Sequence, residues 1–348
     1  MKQRNRNLDI AKGICMICMI LVHMFTWWNN AYPKFNQYTG VFFLVFFFFA
    51  SGLCFKEVPW KNYVLKRFKR LLLPYYIYCG VYAAYLWLIR GQFTGMSLLH
   101  RFYVILVNTI ECFPTGMTQV DFFHVDTYGV GPIWFVHCIF FANIFYRIIC
   151  RWKYRLPIAV VAALLATISQ RFILLPFNLQ DALIGCMFIA MGDCAKGLYQ
   201  KVLTFLDNRK YHLHILAFLL VAAVYVLMIE KLRYQWMNLG GNVYYMRSIL
   251  ASCLGFCLVI VIARFIEKTA IIDEILEFYG RNSMFILIMH SVDILMIRNW
   301  ALMSWQFVIL TLMAYPFVVY LKNRLVASVQ HAWTTSLERK RNDKRLKQ

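Results

Sequence analysis

The chain has 348 residues, of which 61% are hydrophobic and 15% are charged, and its formal net charge is +21. Soluble globular chains average about 45–50% apolar and about 25% charged residues, so the composition excludes an ordinary soluble domain and predicts a polytopic membrane protein. A large positive charge can indicate nucleic-acid binding. Here the basic residues lie between apolar segments, so we attribute the charge to membrane topology and expect no nucleic-acid partner.

Ten segments have the length and composition of membrane helices, each of which needs about 20 mostly apolar residues. They predict an all-α, polytopic membrane protein whose helices cover roughly 10–28, 38–55, 71–89, 130–149, 156–175, 181–199, 213–230, 248–265, 282–299 and 303–321. We expect one membrane domain over 1–330, followed by a basic tail over 331–348.

The positions of Lys and Arg predict the orientation of these helices. If both termini are cytoplasmic, 29 of the 37 Lys and Arg residues fall in the inner segments, which are 1–12, 56–70, 147–155, 196–210, 264–281 and 322–348. Basic residues concentrate on the cytoplasmic side of membrane proteins. The pattern therefore predicts that both termini and the basic tail of this multi-pass protein are cytoplasmic.

Two ionisable residues interrupt the first apolar helix. Lys12 and His23 are eleven residues apart, which places them within about 20° of each other around the helix and about 16 Å apart along it. Asp9 can pair with Lys12 at the i, i+3 spacing. An ionisable group at the expected depth of His23, about halfway across the membrane, normally faces a protein interior or a water-filled cavity. An imidazole there suits proton transfer near neutral pH, whereas a structural histidine bonded between helices is the alternative.

A basic segment joins the second and third predicted helices. Arg67 and Arg70 lie at i, i+3, on one face of a helix through them. Guanidinium groups bind phosphate in a bidentate manner, so the pair predicts an anion site on the cytoplasmic side. Positive-inside topology and contact with lipid headgroups explain part of this charge, but neither selects two arginines three residues apart.

Four further polar or aromatic residues are candidates for substrate contact: Ser51, Trp134, Asn282 and His290. Ser51 lies in a small Ala-Ser-Gly step that also suits close helix packing. Trp134 follows Gly-Pro at the start of a helix, where a tryptophan of the interfacial belt is equally expected. His290 is a second imidazole inside an apolar helix, and a structural or cavity-lining role is expected for it.

Metal and redox chemistry have weaker support in the sequence. Asp121, His124 and Asp126 lie in the longest predicted outer loop, 90–129, and could form a metal site, although a solvated or sugar-contacting loop is the more economical interpretation. Cys15 and Cys18 form a C-x-x-C inside a lipid-embedded helix with no partner pair nearby, where cysteine behaves as a small hydrophobe. We therefore expect no bound metal.

Taken in chain order, these motifs resemble the acyltransferase-3 family of membrane O-acyltransferases. The resemblance covers most of the chain and includes LDIAKGI and LVHMF in the first helix, FFFFASG in the second, KRFKRLLLPYY before the third, GPIWFV in the fourth and YGRNSMFILIMH in the ninth. The family has a motif in which a basic residue is followed, after ten intervening residues, by a histidine. Lys12 and His23 match this motif. The family's R-x-x-R is matched by Arg67 and Arg70.

The resemblance implies an enzyme that transfers an acyl group, usually acetyl, from cytoplasmic acyl-CoA to a hydroxyl of a cell-surface or lipid-linked glycan. His23 would be the catalytic base, and Lys12, Arg67 and Arg70 would contact the CoA phosphates. Direct attack of the hydroxyl and a covalent acyl-histidine or acyl-serine intermediate both remain open. Ser51, Trp134 and Asn282 are unranked candidates for stabilising the oxyanion.

Two other functions compete with this one. Ten helices and buried histidines also fit a transporter or flippase for a lipid-linked saccharide, although the sequence shows no inverted repeat or paired broken helices of the kind many transporters have. A non-catalytic subunit of a polysaccharide export complex is the third possibility. A cytoplasmic arginine pair aligned with Lys12 distinguishes the acyltransferase from the transporter, because an acyl-CoA site needs these cations and a carrier does not.

Overall fold

The computed structural model describes residues 5–28, 32–91, 93–111, 129–207, 211–230, 245–300 and 304–346. Within these ranges the chain is almost wholly helical and contains no β-strand. The predicted all-α fold is therefore confirmed.

Fifteen α-helices lie in the described ranges. Their bounds are α1 Arg6–Trp27, α2 Pro33–Gly40, α3 Phe43–Leu53, α4 Trp60–Arg67, α5 Leu73–Leu88, α6 Leu98–Glu111, α7 Trp134–Ile149, α8 Arg155–Ser169, α9 Leu179–Cys194, α10 Lys196–Asp207, α11 Tyr211–Glu230, α12 Tyr245–Ile266, α13 Ile272–Arg281, α14 Ser283–Trp300 and α15 Trp305–Leu346.

Several of these helices can cross a membrane. Six helical stretches in the described ranges are long and apolar enough: Arg6–Thr26, Pro33–Leu53, Trp60–Leu88, Gly131–Ile149, Arg247–Ile266 and Trp305–Ser328. The number becomes seven if α9 and α10, which meet at a bend of 56°, count as one span. The protein is thus a multi-pass membrane protein. Each of the ten predicted segments overlaps a helix, although 38–55 covers the end of α2 as well as α3, and 181–199 covers α9 and the start of α10. The count of ten spans and the side of the termini stay predictions.

Two segments predicted as loops are partly helical. The predicted outer loop 90–129 contains α6, whose Val104 and Val107 are buried. The predicted inner segment 264–281 contains α13, which buries Leu276 and Tyr279 on one face. With 14 and 10 residues, α6 and α13 are shorter than the roughly 20 residues that a membrane-spanning helix needs, which explains why a search for apolar spans did not identify them.

The first helix is central, and it lies against α13 at backbone contact. A Cβ added to Gly13 would meet the carbonyl oxygen of Leu276 at 1.9 Å, and one added to Gly280 would meet the carbonyl oxygen of Asp9 at 1.8 Å. Small residues allow helix backbones to approach this closely in membrane proteins. This contact brings the cationic start of α1 next to the α13–α14 junction.

A second close crossing joins α3 and α9. A Cβ at Gly52 would lie 2.1 Å from the carbonyl oxygen of Ile189, and one at Gly192 would lie 2.1 Å from that of Phe49. The expectation that the Ala50-Ser51-Gly52 step permits close packing is therefore confirmed. It fixes the position of Ser51 beside the helices that surround α1.

The segments rich in Lys and Arg gather at one end of the bundle, which we call the basic end and define by the ion pairs of three arginines. Arg6 lies 2.7 Å from Asp273 and 2.9 Å from Glu277. Arg264 pairs with Asp207, and Arg147 lies 3.5 Å from Glu57. The helix termini that the Lys and Arg pattern grouped together are thus adjacent in space, and the assignment of this end to the cytoplasm stays a prediction.

Candidate functional site

A cavity of about 400 Å³ opens at the basic end, between α1, α3, α4, α7 and α14. The basic side chains that line it are Lys12, Lys56, Lys66, Arg67 and Arg70. None of the described residues that line it is an Asp or a Glu. Small-molecule sites usually enclose about 300–1,000 Å³, so this cavity has the size of a ligand site and the charge of an anion site.

The arginine pair reaches the cavity from a widened helical turn. Between α4 and α5 the residues Phe68–Leu72 form a π-helical turn, in which the N–H of Leu73 donates to the carbonyl of Phe68. Pro74 lies in the first turn of α5. A proline has no N–H and its ring clashes with the carbonyl four residues earlier, which accounts for the widening. Turns of this kind occur frequently at functional sites.

Arg67 is held by an aromatic contact. Its guanidinium carbon lies 4.7 Å from the centroid of the Tyr63 ring. Tyr63 is buried, and its hydroxyl donates to the backbone and side-chain oxygens of Asn143, at 3.3 Å each. The stacked guanidinium loses less conformational freedom when it binds an anion than a free side chain would.

Lys12 reaches the same cavity from α1. Its ammonium lies 3.7 Å from a carboxylate oxygen of Asp9, as the i, i+3 spacing predicted. Asp9 is also 4.0 Å from Arg281. Lys12 is therefore oriented by a carboxylate that lies outside the cavity lining.

The two ends of the cavity differ in polarity. Lys56, Lys66 and Arg70 at the mouth are exposed. Met19 and Leu287 at the inner end are buried, with exposed fractions of 2% and 4%. The site therefore offers cations at an open mouth and an apolar surface inside. Lys56 and Tyr63 were not predicted as lining residues, because they become neighbours of Lys12 only through packing.

The two intramembrane imidazoles meet just beyond the inner end. The ring centroids of His23 and His290 lie 5.5 Å apart, with the ring planes tilted by 44°. His23 is not among the residues that line the cavity, but it lies four residues after Met19 on α1, a rise of about 6 Å. It also lies four residues before the end of α1 at Trp27, so it is nearer the far end of that helix than its middle.

His290 is completely buried and is linked to two polar side chains. Its Nδ1 is 3.2 Å from the hydroxyl of Tyr315, and that hydroxyl donates to a carboxylate oxygen of Asp293. Tyr315 lies on α15, 25 residues further along the chain, and the sequence analysis did not single it out. No periodicity in the sequence indicates which residue of α15 faces α14 at this depth.

The remaining predicted contacts are distributed around the cavity. Ser51 lines it directly. Trp134 is buried beside Phe135, which lines the cavity. Asn282 ends α13 and its amide donates to the carbonyl of Phe278 at 2.9 Å; it lies between two lining residues without lining the cavity itself. The structure thus gathers Lys12, Arg67, Arg70 and Ser51 in one cavity and leaves His23, Trp134, Asn282 and His290 adjacent to it.

The weaker metal and redox candidates receive no structural support. Asp121, His124 and Asp126 lie outside the described residues. Among the residues that are described, no cluster of three or more His, Cys, Asp or Glu could hold a metal ion. Cys15 is buried and Cys18 is half-buried, and both are free.

Fold and site together define a multi-pass helical membrane protein with a cation-lined cavity at one end of its bundle. The family model of the acyltransferase domain, acyltransferase-3, matches residues 5–322. Because this match covers nearly the whole chain, the protein belongs to the acyltransferase-3 family and is a membrane acyltransferase. Searches of curated proteins and of solved structures found no match.

Proposed function

We propose that this protein moves an acyl group, acetyl in the first instance, from cytoplasmic acyl-CoA to a hydroxyl of a cell-surface or lipid-linked glycan, in the bacterial cytoplasmic membrane. The cavity is the observation that carries the proposal. Its described lining residues include five cations and no carboxylate, which matches a donor with several phosphates. Its apolar inner end lies about one helical turn from two imidazoles.

The charge and polarity of the cavity match those of the proposed donor. CoA carries a diphosphate and a 3′-phosphate at one end of a long, thin pantetheine arm. Lys12, Arg67 and Arg70 would bind the phosphates through charge-assisted hydrogen bonds. The arm would then extend past the apolar lining toward Met19, whose flexible side chain can rotate to let the thioester reach His23.

The transfer step follows from the position of His23. One ring nitrogen of His23 takes the proton of the glycan hydroxyl while that oxygen attacks the thioester carbonyl. The carbon–sulfur bond then breaks, and the CoA thiolate leaves with the proton from the imidazolium. Ser51, Trp134 and Asn282 are the candidates for stabilising the oxyanion, and Ser51 is the one of the three that lines the cavity.

The order of bond formation can be tested with the donor alone. Incubating the protein with acetyl-CoA in the absence of a glycan gives no CoA release if the hydroxyl attacks directly. A stoichiometric burst of CoA and an acetylated peptide in a digest would indicate a covalent acyl-histidine or acyl-serine intermediate.

A direct experiment tests the proposed function. The purified protein in liposomes is given radiolabelled acetyl-CoA, and its binding and consumption are measured. In parallel, envelope glycans from cells with and without the protein are compared by mass spectrometry. We expect saturable binding and a loss of acetyl mass from one glycan when the protein is absent. Absence of acetyl-CoA binding, together with unchanged glycans, would exclude the proposal.

One structural feature favours the transporter alternative. The α9–α10 pair is bent by 56° near Ala195, and broken helices are common in transporters. In the described ranges this is the one bent pair, whereas a transporter of that kind has two in corresponding positions. If cells lacking the protein kept acetylated glycan but accumulated it on the wrong side of the membrane, the transporter would be favoured.

A further inference from the structure

A chain of polar groups on α14 and α15 leads to the proposed catalytic base. It runs from the Asp293 carboxylate to the Tyr315 hydroxyl, on to Nδ1 of His290, and ends at the ring of His23. Tyr315 is 3% exposed and His290 is not exposed at all. Buried polar networks of this kind specify one arrangement only when each member is satisfied.

The hydrogen bonds fix the tautomer of His290. A tyrosine hydroxyl has one proton to donate, and the Tyr315 hydroxyl gives its proton to Asp293. The Tyr315 oxygen can therefore only accept at the other contact, so Nδ1 of His290 carries the proton. A neutral imidazole with a protonated Nδ1 has a bare, accepting Nε2.

That accepting nitrogen has no hydrogen-bond partner among the described residues, although it is buried. A buried polar atom without a partner is destabilising, so its presence calls for an explanation. The ring beside it is that of His23, at a centroid separation of 5.5 Å. Two imidazoles at this separation can turn to bring ring nitrogens within about 3 Å, the length of a hydrogen bond.

We propose that His290 is a positioning residue for the acyl transfer, whose Nε2 accepts the N–H of His23 and so presents the other nitrogen of His23, unprotonated, to the glycan hydroxyl. Tyr315 and Asp293 hold His290 in the accepting tautomer. When His23 takes the hydroxyl proton it becomes an imidazolium, and the hydrogen bond to His290 and the Asp293 charge beyond Tyr315 stabilise it. The inference rests on the proposed function and adds three residues to its site.

Two substitutions test the chain. His290→Phe removes the acceptor and keeps a ring of similar size, and Tyr315→Phe removes only the hydroxyl. Removing a group that orients a reacting or ligating residue typically costs about 10–100-fold. We expect kcat to fall by that factor in each variant, with the Kd for acetyl-CoA unchanged. His290→Gln keeps an amide that can accept from His23, and we expect it to retain more activity than His290→Phe.

Tyr279→Phe is the matched control. Tyr279 is buried beside Tyr315, with ring centroids 6.4 Å apart, and its hydroxyl donates to the carbonyl of Leu312. It is thus a buried tyrosine of the same region that is not part of the chain to His290. We expect wild-type kcat in this variant, so an equal loss in Tyr279→Phe and Tyr315→Phe would show that both act through stability and would overturn the proposal.

A measurement that needs no catalytic turnover tests this inference independently of the proposed function on which it rests. Nitrogen-15 NMR of the imidazoles in the wild-type protein in lipid reports which nitrogen of His290 carries the proton, and we expect Nδ1. A proton on Nε2 would overturn the inference whatever the enzyme does. Acetyl transfer by the wild-type protein together with wild-type kcat in His290→Phe and Tyr315→Phe would also overturn it. A wild-type protein that binds no acetyl-CoA would instead overturn the proposed function.

Discussion

The cavity at the basic end and the imidazole pair next to its inner end are built in opposite ways. The cavity carries like charges that are half-buried or exposed, and its cations Arg67 and Lys12 are oriented by Tyr63 and Asp9. The pair of imidazoles belongs to a buried network in which Tyr315 fixes the hydrogen bonding of His290. One region is a cation-lined cavity with an exposed mouth, and the other is a pair of rings of which His290 is fully buried and His23 is half-buried.

This difference has a practical consequence. Interactions between exposed charges are screened by salt over about 10 Å at 0.1 M ionic strength, whereas buried groups are screened much less. Substitutions in the cavity should therefore change donor binding in a salt-dependent manner. Substitutions at the imidazoles should change turnover and leave donor binding alone. The following experiments test that separation, starting with the largest expected effect.

His23→Ala should remove turnover and keep binding. A general base contributes about 10²–10⁴-fold to the rate, so we expect kcat to fall by that factor while the Kd for acetyl-CoA stays within about twofold, since His23 does not line the cavity. The measurements are glycan acetylation by mass spectrometry and acetyl-CoA binding to purified protein. His100→Ala, at an exposed histidine on α6, is the control. Unchanged acetylation at normal protein levels would contradict the assignment of His23.

Arg67→Gln combined with Arg70→Gln should weaken binding and keep turnover. Replacing a charge-assisted hydrogen bond to phosphate by the neutral one that glutamine can still donate costs about 1 kcal/mol. For the two positions together we expect the Kd for acetyl-CoA to rise about 10–100-fold at low salt, with kcat at saturating donor unchanged. The measurement is a binding titration at two salt concentrations. Lys61→Gln combined with Lys69→Gln makes the same charge change at exposed positions of the same segment that do not line the cavity.

The outcome of that titration decides the phosphate assignment. If the arginine and lysine double variants lose affinity equally, the effect is general membrane-surface charge and the phosphate assignment is wrong.

Gly13→Ala should affect both regions together. The added Cβ would lie 1.9 Å from a backbone oxygen of α13, so the two helices must separate, and overpacking of this kind costs about 1–3 kcal/mol. Because α1 carries both Lys12 and His23, we expect a lower thermal midpoint together with losses in donor binding and turnover. Gly80→Ala is the control, since nothing lies within 4 Å of a Cβ at Gly80. A selective loss of only one activity would show that the two regions do not depend on the same helix contact.

Lys56→Gln combined with Lys66→Gln should have the smallest effect. Both lysines line the mouth of the cavity and are exposed, and exposed ion pairs contribute about 0–1 kcal/mol. We expect a rise of about two- to fivefold in the Kd for acetyl-CoA at low salt that disappears at high salt. A salt-independent effect larger than that of the arginine pair would place the phosphates at the lysines instead.

Much of the fold followed from one-dimensional patterns. Apolar length located all ten predicted helices, because lipid requires every backbone polar group to be satisfied within a helix. The distribution of Lys and Arg grouped helix ends that do lie together, as the pairs Arg6–Asp273 and Arg264–Asp207 show. The sequence also predicted three cations of one site, since Lys12, Arg67 and Arg70 line the same cavity.

By itself, then, the sequence determined the helical fold, the location of charge along the chain and the identity of the cationic residues, because each depends on neighbours within about two helical turns. Only the tertiary structure decided that α6 and α13 are helices packed in the bundle, that the cavity stops at Met19 rather than at His23, and that Tyr315 reaches His290 from α15. These features depend on the relative orientation of helices that are far apart in the chain, including the rotation of each helix about its own axis. That rotation is set by close contacts such as Gly13 with Leu276, which no local periodicity encodes.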